Sequence, residues 1–153
     1  MTAISYTDAT LGFIKVIQTI TVPAGAAIDR GELVTFDATT GKAILALADD
    51  IATSVPVGMA MRSVVAGMSL TVLLEGWVYM DGFSGLAFND PLYVSETTAG
   101  VIEDAAPATT GEQIVRVGYI VPQWGGNGGG DFTAQTATHV LYLKPEWVLE
   151  VPA

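Results

Sequence analysis

The sequence predicts an all-β fold, a compact barrel or sandwich of short strands, on three observations. Gly58, Gly67 and Gly76 stand nine residues apart with apolar and β-branched segments between them. Those segments (Val64-Val65, Leu70, Val72, Leu74, Val78-Tyr79) suit a pleated, half-buried surface, and short strands punctuated by turn residues argue for a sandwich or barrel. The hydrophobic half of the chain leans on Ala and Val and is accompanied by 17 Gly, a mix that fits tightly turned β structure. Val72-Leu73-Leu74 is a continuous apolar run, as expected of a central strand covered on both faces. The stretch Val57–Met80 is therefore read as two or three core strands joined by glycine turns.

Taken in order, residues 1–12 are polar and rich in Thr and Ser, and read as an extended N-terminal arm. A single β domain follows over residues 13–143. Phe13–Val22 is a β-rich run that Pro23 stops, kept partly solvated by Lys15, Gln18, Thr19 and Thr21. Glu32–Asp37 is a strand, Ala38-Thr39-Thr40-Gly41 its turn, and Lys42–Leu47 the hairpin partner. Ala48–Thr53 is a short helix or an irregular loop. Past Pro122 comes the glycine-rich loop Gln123–Asp131, surface-seeking by composition. Thr138–Leu143 is the last core strand, and residues 144–153 form an apolar C-terminal tail that needs a place to be buried.

The second half of the domain echoes the first. Glu32–Gly41 resembles Asp90–Gly100, and Val57-Gly58-Met59-Ala60 resembles Val117-Gly118-Tyr119-Ile120, at offsets of 58 to 60. Two matches at nearly one offset suggest an internal duplication of 28–60 onto 88–120. The alternative is that any two hairpins with Thr-Thr-Gly turns look alike.

At 153 residues the chain is one domain, long enough to bury a core. The absence of Cys excludes a disulfide framework, a thiolate metal site and a Cys nucleophile. Sixteen acidic and six basic residues leave a formal charge of −10. That balance opposes binding to nucleic acid and to anionic membrane surfaces, and favours docking on a basic partner. No apolar segment approaches the roughly 18 to 20 residues that span a bilayer, and the start shows no signal-peptide pattern.

Chemistry finds little purchase. The loop Gly125–Asp131 lacks the Lys and Ser or Thr of a phosphate cradle, and reads as a hairpin tip whose glycines take positive φ. His139 is the only histidine; beside Val140 it reads as a packed or surface imidazole rather than a base. Asp49-Asp50, Asp81, Asp90, Glu103-Asp104 and Glu146 could supply a carboxylate pair, but each adjoins turn residues and reads as a solvated loop. No enzyme activity, cofactor or metal is expected. Trp77 reads as structural, whereas Trp124 and Trp147 are surface candidates, since aromatic side chains anchor interfaces.

The pattern Ala24-Gly25 through Asp37, with Arg30-Gly31-Glu32-Leu33-Val34 at its centre, is followed by Val57-Gly58-Met59-Ala60 and by Ala66-Gly67 through Gly76. With Asn89-Asp90-Pro91-Leu92-Tyr93-Val94-Ser95 and Ala99-Gly100, it resembles the small capsid decoration, or cement, proteins of tailed bacteriophages. The likeness covers roughly residues 24 to 122, and departs from that pattern where Asn-Asp-Pro replaces a usual Gly-Asp. It implies an all-β, often trimeric module that binds the major capsid protein on the outside of the virion and has no catalytic residues. Tyr6, Trp124, Asn127, Trp147, Val148 and Leu149 are the expected interface residues. The alternative is a receptor- or glycan-binding module of a phage tail or fibre, using Trp124 and the glycine loop.

Overall fold

The computed structural model describes residues 2–124 and 136–153. Nine strands form one antiparallel sheet that curls into a half-barrel, so the fold is all-β as expected. They are β1 (Gly12–Pro23), β2 (Leu33–Phe36), β3 (Ala43–Leu45), β4 (Gly58–Ala60), β5 (Ser69–Tyr79), β6 (Pro91–Val94), β7 (Ile102–Glu103), β8 (Gln113–Gln123) and β9 (Thr138–Glu150). A one-turn helix α1 (Ile51–Ser54), capped by the Asp50 carboxylate, and a 3-10 turn (Asp81–Gly85) complete the elements. The order across the sheet is β3-β2-β4-β5-β9-β8-β6-β7, with β1 beside β5.

Strand β5 is the spine. Leu73 pairs with Thr19 of β1 and Met59 of β4, while Gly76 pairs with Val16 of β1 and Leu143 of β9. A strand has only two edges, so β1 takes one edge of β5 along its whole length and β4 and β9 share the other. The apolar run predicted to be covered on both faces behaves accordingly. Leu73 and Val78 belong to the larger core cluster with Met59, Leu92 and Leu141, and Leu70 and Val72 to a smaller one with Ile28 and Val34.

Three expectations are corrected. Gly76 is no turn: it lies buried inside β5, where a Cβ would strike the Lys15 carbonyl of β1. Gly58 opens β4, and of the three evenly spaced glycines only Gly67, at φ +87°, makes a turn. Residues 144–150 are not a tail beyond the core but the second half of β9. Pro145 does not end the strand, because Ile114, Val115 and Arg116 of β8 pair with Leu149, Trp147 and Glu146 across small register shifts. The expected arm is extended but docked. Thr2 N–H donates to Asp104 Oδ1 at 2.7 Å, Ile4 N–H to the Ile102 carbonyl at 2.8 Å, and Leu11 is buried.

Several hydrogen bonds recur between the two halves. Gly31 N–H donates to Ala60 O and Ala60 N–H to Glu32 O; Asn89 N–H donates to Ile120 O and Ile120 N–H to Asp90 O. A carboxylate closes the preceding turn in both, Glu32 Oε2 on Asp29 N–H and Asp90 Oδ2 on Ala87 N–H. Gly31 (φ +92°) and Asn89 (φ +72°) hold the same left-handed position 58 residues apart, which glycine occupies without strain and asparagine tolerates better than most residues. The hairpin turns match too: Asp37 Oδ1 accepts from Thr39 and Thr40 N–H, and Ser95 Oγ accepts from Thr97 and Thr98 N–H. β2, β3 and β4 thus correspond to β6, β7 and β8. The β4–β5 pairs Met59↔Leu73 and Ala60↔Val72 match the β8–β9 pairs Tyr119↔Tyr142 and Ile120↔Leu141, so β9 is the counterpart of β5.

At Gly118 of β8 two backbones come close, since a Cβ there would strike the Tyr142 carbonyl of β9. Neither strand can withdraw without breaking the ladder. Gly118→Ala is expected to cost about 3 kcal/mol or more by overpacking. Gly85→Ala, where nothing lies within 4 Å, should stay within about 0.5 kcal/mol. Urea unfolding midpoints check both, and a wild-type midpoint for Gly118→Ala would show that the close approach is not required.

Candidate interaction surface

Among the described strands, β1 is the least protected along its length. Its burial pattern is exposed almost throughout, and Ile14, Val16, Ile17 and Ile20 keep 40–49% of their surface in water. One edge pairs with β5; no strand among the described residues pairs with the other. Ile14 and Ile17 sit where the register with β5 slips, at bulges that aim single side chains away from the ladder. An edge strand is ordinarily blunted with charge, whereas β1 carries Lys15 alone and residues 9–28 hold no carboxylate at all in a chain with sixteen. Met68, half exposed, extends the apolar strip: its carbonyl accepts Ala24 N–H at the end of β1.

A second exposed apolar patch lies at the end of β9. Trp147, Val148 and Leu149 are 37–46% exposed. The indole is fixed rather than loose, because Trp147 Nε1–H donates to Gln113 Oε1 at 2.8 Å. Beside it Arg116 pairs with Glu146 and lies 4.8 Å from the centre of the Tyr119 ring. Where β9 diverges from β5 past Leu143, a cleft of about 260 Å³ opens, lined by Val55, Pro56, Leu74, Pro145 and Trp147 among others.

Of the other expected interface residues, Tyr6 faces inward. Its hydroxyl donates to the Arg30 carbonyl at 2.7 Å, and its ring lines a small cavity of about 120 Å³ with Ile4, Gly31 and Met80. Arg30 holds the same segment from outside: its guanidinium donates to the Asp8 and Leu11 carbonyls and lies 5.2 Å from the centre of the Phe13 ring. Trp124 is half exposed at the end of β8, whereas Asn127 and the rest of the glycine-rich loop lie outside the described residues. The structure therefore leaves Trp147, Val148 and Leu149 together on one exposed strand end and ties Tyr6 into the body.

The scattered carboxylates serve local structure. Asp50 caps α1, Asp49 accepts from Thr53, Asp81 from Thr7 N–H and Asp104 from Thr2 N–H, while buried Glu103 accepts from Ser95 Oγ at 2.7 Å. His139 stacks on Phe88, ring centres 4.2 Å apart, and Trp77 packs near Tyr142. Among the described residues no three His, Cys, Asp or Glu side chains group as metal ligands, and no helix is long and apolar enough to cross a membrane. The isoleucines of β1 escaped the sequence reading as surface residues, because an exposed apolar strand and a half-buried one have the same composition. The signal available was their neighbourhood, Lys15, Gln18, Thr19 and Thr21 with no acid.

The fold and surface thus define an all-β, single-sheet module whose distinguishing features are two exposed apolar strand segments. No protein-family model matches the chain, and no curated protein matches it.

The Tyr6 hydroxyl is pushed up to about 12, chiefly by burial and then by the Glu32, Asp29 and Asp8 carboxylates. The folded chain thus keeps a proton that the unfolded chain releases near pH 10. This contribution is whole below pH 10 and is lost as the pH rises towards 12. Tyr6→Phe removes it together with a hydrogen bond worth about 1 kcal/mol. The stability gap between wild type and Tyr6→Phe should therefore narrow from pH 9 to 12. A constant gap in urea unfolding across that range would count against it.

Proposed function

We propose that this protein is a non-enzymatic structural subunit that binds the outer surface of a phage capsid and stabilises the shell by bridging its subunits. The observation that carries this reading is β1: a long, apolar, acid-free strand held rigidly on one edge and exposed on the other. A side chain of this kind gains by burial against a partner, and a rigid sheet presents it without a large ordering cost. The rest of the surface is acidic, which suits a protein that must meet the shell while having no affinity for packaged DNA. Binding only the assembled state would stabilise that state by mass action. The resemblance over residues 24–122 points the same way. On this reading the partner is the major capsid protein, the module acts as a homotrimer on the virion exterior, and it is made in the host cytoplasm.

The docked N-terminal segment modifies one part of the picture. With Ile4, Tyr6 and Leu11 packed on the core, residues 2–11 belong to the body, and their removal would destabilise the domain itself. Contacts with other subunits, those of the shell and further copies of this chain alike, fall to β1 and the end of β9 instead.

The half-exposed Trp124 favours a second reading, a receptor- or glycan-binding module of a tail or fibre, because an indole face suits a sugar ring. The two differ in partner. Purified protein should co-sediment with expanded heads that lack it and raise their resistance to heat, and Trp124→Ala should bind those heads as wild type does. Retention on host cells or surface polysaccharide that Trp124→Ala abolishes, with no binding to heads, would establish the second reading instead.

A further inference from the structure

We infer that β1 of one copy packs against the C-terminal half of β9 of the next, Lys144–Glu150, so that copies of this chain associate head to tail through two different apolar strand segments. The inference deepens the interaction-surface reading above by naming one partner of that surface, a second copy of the chain.

The repeat supplies the first argument. β5 and β9 are counterparts, and each is flanked on one edge by an equivalent neighbour, β4 and β8. The opposite edge of β5 is covered from end to end by β1. The corresponding edge of β9 is covered only at Leu141–Leu143, by β5 itself, and no strand among the described residues continues along Lys144–Glu150. β5 itself is the β1 of the second half, since Thr19↔Leu73 and Ile20↔Val72 carry over to Trp77↔Tyr142 and Val78↔Leu141 at the same offsets, but it turns away to β4 and leaves the edge of Lys144–Glu150 open to a further strand.

The exposed surface is the second argument. Among the described residues, seven of the thirteen large exposed apolar side chains belong to these two segments: Ile14, Val16, Ile17 and Ile20 on β1, and Trp147, Val148 and Leu149 on β9. Scattered single exposures need no explanation, but two runs on two strands do.

Charge is the third. A chain of net charge −10 repels its own copies, and like charges brought together in a contact are costly. The surface it can offer to another copy with least repulsion is one without carboxylates. Residues 9–28 have Lys15 as their only charge, with Glu75 of β5 beside Gln18, whereas residues 144–150 carry Glu146, paired with Arg116, and Glu150 against Lys144. β1 against β1 would oppose lysine to lysine, whereas the end of β9 brings no net positive charge to Lys15. The contact is therefore heterologous, and a heterologous contact that closes makes a ring.

The test is sedimentation velocity of the full chain over a concentration series, with Ile17→Asp and Val148→Asp as variants. Both positions are well exposed, and far-UV circular dichroism confirms that each variant folds; Val16→Lys and Leu149→Lys stand in for either that does not. Wild type should form a species of several copies, and each variant alone should weaken association by at least tenfold, leaving monomer. Mixed one to one, the variants should form nothing larger than a dimer, because only one intact pair of segments remains between them. A wild type that stays monomeric throughout overturns the inference. So does a Val148→Asp variant that associates like wild type, which would mean β1 meets β1, and so does a mixture that forms species larger than a dimer. Heads play no part in this measurement. Association without binding to heads leaves the inference standing and removes the capsid reading, and a monomer that binds heads does the reverse.

Discussion

Every pairing between the two halves of the sheet passes through β5. Its far edge is lined by β1, and its near edge is divided between β4 and β9 at Gly76. That division is possible because glycine stands at the fork. A Cβ at position 76 would meet the Lys15 carbonyl on one side and Leu73 on the other, and strands packed on both faces have no room to give. The fork fixes the shape of the half-barrel, and it also opens the cleft beside Trp147, since β9 must leave β5 once β4 has taken its edge.

Around this spine the two repeated halves interlock instead of simply stacking. Leu33 N–H donates to Gly100 O, Gly100 N–H to Ala46 O, Ala48 N–H to Ser95 O and Gln113 N–H to Ala48 O. The hairpin of each half thus satisfies backbone groups of the other. Buried backbone donors without partners cost about 1–3 kcal/mol each, so the two halves cannot shift along this seam without leaving donors unpaired. Within the second half Glu103 steadies the hairpin with a side chain, its buried carboxylate accepting from Ser95, the residue that also organises the turn.

The strand content and the β2–β3 hairpin were legible in the sequence because turn chemistry is local. Asp37-Ala38-Thr39-Thr40-Gly41 and Ser95 through Gly100 spell out their own hydrogen bonds, and Gly31 and Asn89 mark the left-handed positions. What was not legible depends on partners far along the chain. Gly76 has the composition of a turn and the environment of a strand, and only the arrival of β1 distinguishes them. Pro145 reads as a strand end, yet proline is tolerated on an edge, and the edge exists only because β9 has left β5. Burial was the least legible property. Ile14, Ile17 and Ile20 look like core residues, and whether they meet water is decided by where the sheet stops.

That exposure sets limits on how the surface can be used. Covering the remaining half of an exposed Ile, Val or Leu gains about 1 kcal/mol, so the seven side chains of β1 and β9 together offer about 7 kcal/mol. Bringing two free proteins together costs about 4–15 kcal/mol in lost motion. A single such contact is therefore marginal, and the hydrogen bonds of two otherwise unpaired strand edges would add only modestly to it. In a ring each copy makes two contacts while the number of association events stays one fewer than the number of copies. Closure thus converts a marginal pair into a stable assembly, and a scaffold that already holds the copies side by side would do the same by raising their effective concentration. A surface of this strength is suited to a protein that stays soluble when alone and becomes firmly held only where several copies and their support meet.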